Sequence, residues 1–134
     1  MSATENTETV KVMYDAFVRG DAEAILERLT DDVDWATEAV DESIPWSGKR
    51  TGKDEVGRFF EEVGGAVEVQ EFEAGSFAAN DTEVMALVRY RAKVRETGTE
   101  ISMNLHHYWR FRDGKIEYYR GSEDTAQTLA ALQA

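Results

Sequence analysis

Residues 101–124, ISMNLHHYWRFRDGKIEYYRGSED, predict two aromatic-rich β-strands joined by a tight turn at Asp113-Gly114. The only two histidines of the chain, His106 and His107, are neighbours in the first of these strands. Neighbouring side chains of a strand point to opposite faces of a sheet. The two imidazoles therefore diverge, and they cannot chelate one metal ion together.

The two faces of this first strand differ in polarity. The face with His107 is otherwise apolar and contains Met103, Leu105, Trp109 and Phe111. The face with His106 is polar and contains Asn104, Tyr108 and Arg110. A titratable side chain set into an apolar concavity is typical of a small-molecule site, and we predict such a site around His107.

Composition limits the classes of partner. A chain of 134 residues, 42% of them hydrophobic, predicts one globular domain, 1–134. The formal net charge of -12 argues against nucleic acid and against an anionic membrane surface, because both favour clustered basic residues. With no cysteine and no leader-like or membrane-spanning segment, we expect a cytoplasmic protein without thiol chemistry.

The first half of the chain reads as helices around one short strand. Residues 1–6 are polar and predicted to fray. Apolar spacing predicts helices over residues 9–19 and 22–29, then a strand over 33–37 and a loop over 38–50. Thr51 and Asp54 resemble a capping box for a third helix, which we expect to end at Gly64-Gly65.

After Gly65 the apolar period changes to two. Strands are expected over about residues 67–78, 83–95, 100–112 and 115–122. Asp124 is a candidate cap for a short terminal helix over residues 125–132. Helices followed by a run of strands predict an α+β fold: a conical, barrel-like, curved antiparallel sheet packed on three N-terminal helices, with an internal apolar pocket.

Three segments carry a resemblance to a known family: YDAFVRGDAEAILERLTDDVDW, IPWSGKRTGKDEVGRFFEEV and HHYWRFRDGKIEYYRGSEDTAQTLAAL. Together they resemble the nuclear transport factor two-like superfamily, in its SnoaL-like and ketosteroid-isomerase-like branch. The resemblance covers the chain from about Val10 to Leu132. It implies the conical α+β fold and a homodimer formed through the sheet. It does not settle the activity, because this fold carries many functions.

The family's catalytic positions match this chain only in part. The aspartate base of ketosteroid isomerases falls on Thr37, which cannot accept the proton. Their tyrosine donor falls on Met13, one residue before Tyr14, and their aspartic-acid donor falls on His107. The Asp-Arg-Asp set of limonene epoxide hydrolase is lost, because its carboxylate positions fall on Arg91 and Gly121.

We predict three catalytic candidates, namely His107, Glu123 and Tyr14. His107 would act as acid, base or oxyanion donor, or else be a core histidine satisfied by a tyrosine. A pair between Glu123 and His107 would fix the imidazole tautomer, whereas the alternative is a solvent-facing carboxylate at a strand end. The predicted ligand-binding lining is Trp35, Thr37, Trp46, Phe60, Tyr90, Leu105, Trp109 and Tyr119.

The sequence is compatible with two functions. One is a cofactor-free and metal-free isomerase, cyclase or dehydratase that transfers protons on a small hydrophobic molecule. The other is a non-catalytic ligand-binding or dimeric interaction module, favoured by the loss of the standard base. A basic stripe, Arg89 to Arg95 on alternate positions, is interpreted as a solvated or inter-subunit face, with an anionic ligand as the alternative.

Overall fold

The computed structural model describes residues 2–134, which have an α+β fold. The elements, in chain order, are α1 Ala3–Arg19, α2 Ala22–Leu26, β1 Leu29–Thr37, β2 Gly48–Thr51, α3 Lys53–Ala66, β3 Val67–Ala79, β4 Glu83–Val94, β5 Glu100–Arg112, β6 Lys115–Ser122 and α4 Thr125–Gln133. None of these helices is long and apolar enough to span a membrane.

The six strands form one curved sheet in the order β2-β1-β6-β5-β4-β3. The predicted fold class is confirmed, but the sheet is not wholly antiparallel, because β1 pairs with β6 in parallel. A parallel pair needs a long crossover connection. Here the connection is most of the chain, from the end of β1 to the start of β6, and no local pattern in the sequence could reveal that pairing.

Register shifts bend the sheet around the helices. They occur twice along β3 against β4, once between β5 and β6, and once between β1 and β6. Such bulges bend a strand and increase its twist. On the concave face, α1 contacts β3 and β4, while α3 contacts β1, β2 and β3. The concave face and the helices therefore enclose the apolar interior.

The N-terminus differs from the prediction that residues 1–6 fray. Helix α1 begins at Ala3, capped by a reciprocal box in which Ser2 and Glu5 each bond the other's backbone N–H. Asn6 is buried, and its Nδ2 donates to the backbone oxygen of Asp81 at 2.9 Å. This contact with the β3–β4 turn anchors the first helical turn. Residue 1 lies outside the described residues.

Several predicted boundaries in the first half also move. Helix α2 ends at Leu26, and strand β1 begins at Leu29. The predicted loop contains β2, so that Thr51 is a strand residue and Gly52, with φ 84°, takes the N-cap position. Helix α3 continues through the two predicted stop glycines, because its packing against the sheet outweighs their low helix propensity.

The β5–β6 hairpin follows the sequence closely. Asp113 and Gly114 both have positive φ, 51° and 79°, as a two-residue type I′ turn requires. Side chains of β5 alternate between buried and exposed, with His107 buried and His106 exposed. The register places His107 opposite Gly121 on β6. The predicted divergence of the two histidines is confirmed.

The capping box gives a direct test of the N-terminus. Replacing Ser2 by alanine should lower the free energy of unfolding by about 1 kcal/mol, because one helix N–H loses its acceptor. Urea denaturation monitored by circular dichroism measures this change. Thr4→Ala, at an exposed helical position, is the matched control and should be neutral or slightly stabilising. Identical midpoints for Ser2→Ala and wild type would mean that this segment frays.

Candidate functional site

A mostly apolar cavity of about 100 Å³ lies between the concave face of the sheet and helices α1, α2 and α3. All three predicted catalytic side chains line it, and so do all eight predicted ligand-binding side chains. Tyr14 reaches it from α1, His107 from β5, and Glu123 from the residue after β6. Their roles in binding and catalysis stay predictions.

Eight further residues line the cavity and were not predicted as site residues. They are Met13, Phe17, Ile25, Phe59, Val63, Phe72, Gly121 and Ser122. Most belong to apolar stripes that the helical period assigns to a core. In this fold the core and the cavity wall are the same surface. The apolar stripes of α1 and α3 are therefore the sequence signal from which these cavity residues could be predicted.

His107 is held by a chain of buried hydrogen bonds. Its Nδ1 lies 2.6 Å from the hydroxyl oxygen of Tyr14, and the indole Nε1 of Trp109 donates to that same oxygen at 3.3 Å. Burial lowers the pKa of His107 to about 3, and His106 beside it adds to the lowering. The imidazole is therefore neutral at neutral pH. His107 thus lines the cavity and also has a tyrosine as its hydrogen-bond partner, while its catalytic role stays a prediction.

Glu123 is half-buried and is not paired with His107, so the predicted pair is wrong and the carboxylate faces solvent only in part. Its Oε1 accepts from the indole Nε1 of Trp46 at 2.9 Å, and its Oε2 accepts from Thr128 at 3.4 Å. The carboxylate sits at the join between β6 and α4, and Asp124 caps α4 as predicted. Burial raises the pKa of Glu123, an effect that the two hydrogen bonds reduce.

Stacked aromatic rings make up one wall of the cavity. The ring of Tyr119 lies 4.2 Å from that of Trp35 and 4.3 Å from that of Trp109, measured between centroids. Its hydroxyl extends over Gly121, where a Cβ would lie 2.1 Å from the hydroxyl oxygen. The Tyr119 side chain can therefore adopt this position only because residue 121 has no side chain.

The convex face of the sheet carries the polar residues of β4 and β5 together with two exposed apolar side chains. Met85 is 55% exposed and Leu87 is 37% exposed, and both line a shallow groove that includes His106. In the basic stripe, Arg91 pairs with Glu71 and Glu100. Neighbouring carboxylates therefore neutralise part of the positive charge of the stripe. This fits the solvated or inter-subunit interpretation better than an anion-binding site.

The structure shows no cluster of metal-ligating side chains within residues 2–134. Groups of three or more histidine, aspartate or glutamate side chains placed to hold an ion do not occur there. The polar groups at the cavity include an imidazole, a carboxyl, tyrosine hydroxyls and the hydroxyls of Thr37 and Ser122. Such a set can donate and accept hydrogen bonds and transfer protons.

Comparisons with known proteins agree with this architecture. The family model described as SnoaL-like domain matches residues 10–119. An NTF2-like protein of unknown function from Burkholderia pseudomallei is 26% identical, with a TM-score of 0.90 over 97% of this chain and 98% of that one. A comparison with curated proteins gave no match.

Two further solved structures share the fold at lower identity. TerC, co-crystallised with polyporic acid, is 21% identical with a TM-score of 0.87, covering 97% of this chain and 99% of that one. An LEH-like epoxide hydrolase from M. tuberculosis is 14% identical with a TM-score of 0.75, covering 98% and 91%. At these identities the likeness concerns the fold alone.

The buried neutral imidazole makes stability depend on pH. The pKa of His107 in the folded chain lies below its ordinary value of 6.5, so the unfolded chain binds the proton more tightly. Stability should therefore fall as the pH drops below about 6.5, towards the folded value. Between pH 6 and pH 4.5, wild type should lose about 1–2 kcal/mol more than His107→Gln. Urea titrations at both pH values measure this, and equal losses would show that the imidazole is not buried as the neutral form.

Proposed function

The chain belongs to the SnoaL-like domain family, and we propose that its cavity binds a small, largely hydrophobic molecule and transfers a proton on it without a cofactor. Isomerisation, cyclisation and dehydration are the reaction types that fit. The observation that carries the proposal is the presence of two titratable side chains, His107 and Glu123, in one apolar cavity. Burial shifts the pKa of each. Groups perturbed in this way are concentrated at functional sites.

Glu123 is the proposed base. Burial raises the pKa of its carboxyl, which makes the carboxylate a stronger proton acceptor. The indole N–H of Trp46 fixes one of its oxygens at 2.9 Å and leaves lone pairs available to a substrate. This base comes from the end of β6 and thus replaces the one that the family resemblance would place at Thr37.

His107 is the proposed oxyanion donor. A pKa of about 3 keeps the imidazole neutral, so it is a poor proton source at neutral pH but can donate a hydrogen bond. The Glu123 carboxylate would remove a proton from a carbon next to a carbonyl, and the electron pair would move to the carbonyl oxygen facing His107. Return of the proton from Glu123 to a different carbon would complete an isomerisation.

Cavity size supports a small substrate. The cavity measures about 100 Å³. An engineered apolar cavity of about 150 Å³ in another protein accepts benzene. The present cavity is smaller than that one, so a one-ring ligand is at the upper limit of size and would have to displace side chains such as Trp46 or Phe60 in part.

The residues of the cavity do not support epoxide hydrolysis, although one structural neighbour is described as an epoxide hydrolase. Arg89 and Arg91 stand at the positions where the resemblance would place the arginine and one aspartate. Tyr90 between them is buried, and the alternation of the strand directs both arginines to the convex face. The second aspartate position is Gly121, so the carboxylates that would activate water are missing.

A non-catalytic binding module is the second candidate. The observation that favours it is Thr37, which lines the cavity at the position of the family's base and cannot accept a proton there. This candidate predicts ligand binding without turnover for every carbonyl compound tested. Binding would then use the same aromatic wall, with Glu123 serving only to hold Trp46.

The proposed partner on the convex face is a second copy of the chain. Two exposed apolar side chains, Met85 and Leu87, lie in a groove at the middle of an otherwise polar face. A two-fold axis there would bring each patch against its equivalent, as isologous dimers require. The family resemblance points to the same face.

Turnover tests the proposed base. The probe is 3-cyclohexen-1-one, a one-ring ketone whose isomerisation to the conjugated enone increases ultraviolet absorbance. Glu123→Gln keeps an acceptor for Trp46 but not a base, so kcat should fall at least about 100-fold with KM little changed. Glu68→Gln, at an exposed position on β3, is the control and should behave as wild type. Full activity of Glu123→Gln would remove Glu123 from the mechanism, and binding without turnover in wild type would favour the non-catalytic module.

Sedimentation equilibrium tests the dimer. Wild type should have a dimer mass at micromolar concentration, and Met85→Glu with Leu87→Glu should give a folded monomer, because like charges would meet across the two-fold axis. Val18→Glu, at an exposed position on α1, is the control and should remain dimeric. A wild-type monomer would rule out the dimer.

A further inference from the structure

We infer that Tyr14 is a positioning residue rather than a catalytic one: oriented by Trp109, its hydroxyl holds the proton of His107 on Nε2, so that the cavity selects ligands with a hydrogen-bond acceptor such as a carbonyl oxygen. The selection of ligand rests on the proposed function. The positioning of the proton rests only on the geometry of three buried side chains.

The direction of each hydrogen bond follows from its donor. The indole N–H of Trp109 can only donate, so the Tyr14 oxygen is the acceptor of the 3.3 Å contact. The hydroxyl has one proton of its own, and the remaining contact is with Nδ1 of His107 at 2.6 Å. The hydroxyl therefore donates to Nδ1, and the neutral imidazole must carry its own proton on Nε2.

The opposite tautomer leaves a buried donor without a partner. With the proton on Nδ1, the Tyr14 oxygen would accept from both His107 and Trp109, and its own proton would need a third group. Within residues 2–134 the hydroxyl contacts no third polar atom. Tyr14 is only 8% exposed, so water does not replace that partner freely. An unsatisfied buried hydroxyl is costly, which favours the Nε2–H form.

The Nε2–H group is left for a ligand. Nε2 makes no hydrogen bond to the residues that the structure describes. The Nε1 atom of Trp35 is fully enclosed and has no partner in the described part of the chain. Nε2 of His107, which also has no partner there, is not fully enclosed. His107 lines the cavity, and we take the free Nε2–H as the atom that it presents there. A ligand oxygen can accept from Nε2–H, whereas a ligand donor placed there would meet another proton.

Nitrogen NMR tests the positioning without any ligand. Long-range proton–nitrogen spectra of protein with ¹⁵N-labelled histidine distinguish a protonated ring nitrogen from an unprotonated one. At pH 7, wild type should show His107 as a single form with the proton on Nε2. In Tyr14→Phe the two ring-nitrogen shifts should move towards each other, because both tautomers become populated.

Tyr118→Phe is the matched control for this spectrum. Tyr118 is a half-buried tyrosine of β6 that does not line the cavity, and its hydroxyl makes no hydrogen bond to His107. Its replacement should leave the His107 signals as in wild type. Wild-type protein with the proton on Nδ1 would overturn the inference. Unchanged nitrogen shifts in folded Tyr14→Phe would overturn the positioning role of Tyr14.

A matched pair of probes tests the selection of ligand. Cyclohexanone and methylenecyclohexane have nearly the same shape, but only the ketone has an acceptor oxygen. Tryptophan fluorescence titrations give the ratio of their affinities. The preference for the ketone should be about 2–10-fold smaller in Tyr14→Phe than in wild type, the value of one hydrogen bond, and unchanged in Tyr118→Phe.

The two experiments fail in different ways. If neither probe binds to wild type, the proposed one-ring site is wrong, while the nitrogen spectrum still decides the tautomer. An equal ketone preference in wild type and Tyr14→Phe would overturn the selection of acceptor ligands. A single Nε2–H form together with a reduced preference in Tyr14→Phe would support both parts.

Discussion

The pairing of β5 between β4 and β6 is the constraint on which the rest of the structure depends. Because neighbouring side chains of β5 alternate strictly, this pairing fixes which of two adjacent imidazoles enters the apolar interior and which meets water. A slip of one residue would exchange His107 with His106 and expose the aromatic side chains. Bulges in the neighbouring strands bend the sheet around that interior, so the fold and the cavity arise from the same register.

The sequence predicts what depends on local periodicity. The four long strands, the inward face of β5 and the position of the cavity wall follow from alternation, and the turn follows from the Asp113-Gly114 pair. What it does not predict are pairings between distant residues. The parallel pairing of β1 with β6 joins strands that are far apart in the sequence and forms only when the sheet is assembled. The anchoring of α1 by Asn6 depends on a backbone oxygen 75 residues away.

The same distinction applies to the site. Tyr14 and Glu123 were recognised as chemically suited residues, yet their partners were assigned wrongly or left unassigned. Trp46, which holds Glu123, lies 77 residues from it, and Tyr14 lies 93 residues from His107. Sequence indicates which side chains face inward. The curvature of the finished sheet decides which of them meet, and with that meeting comes the environment that shifts each pKa.

A chain with a net charge of -12 keeps most of its charges on the outside and one carboxyl at the cavity. Discrimination inside therefore depends on shape and on the direction of single protons. Gly121 shows how narrow the shape constraint is, since the Tyr119 hydroxyl already occupies the space of any side chain there. Residues 119 and 121 consequently share one fixed volume. In any descendant of this chain, a larger side chain at position 121 would require a smaller or displaced one at position 119, and the two sites would have to change together.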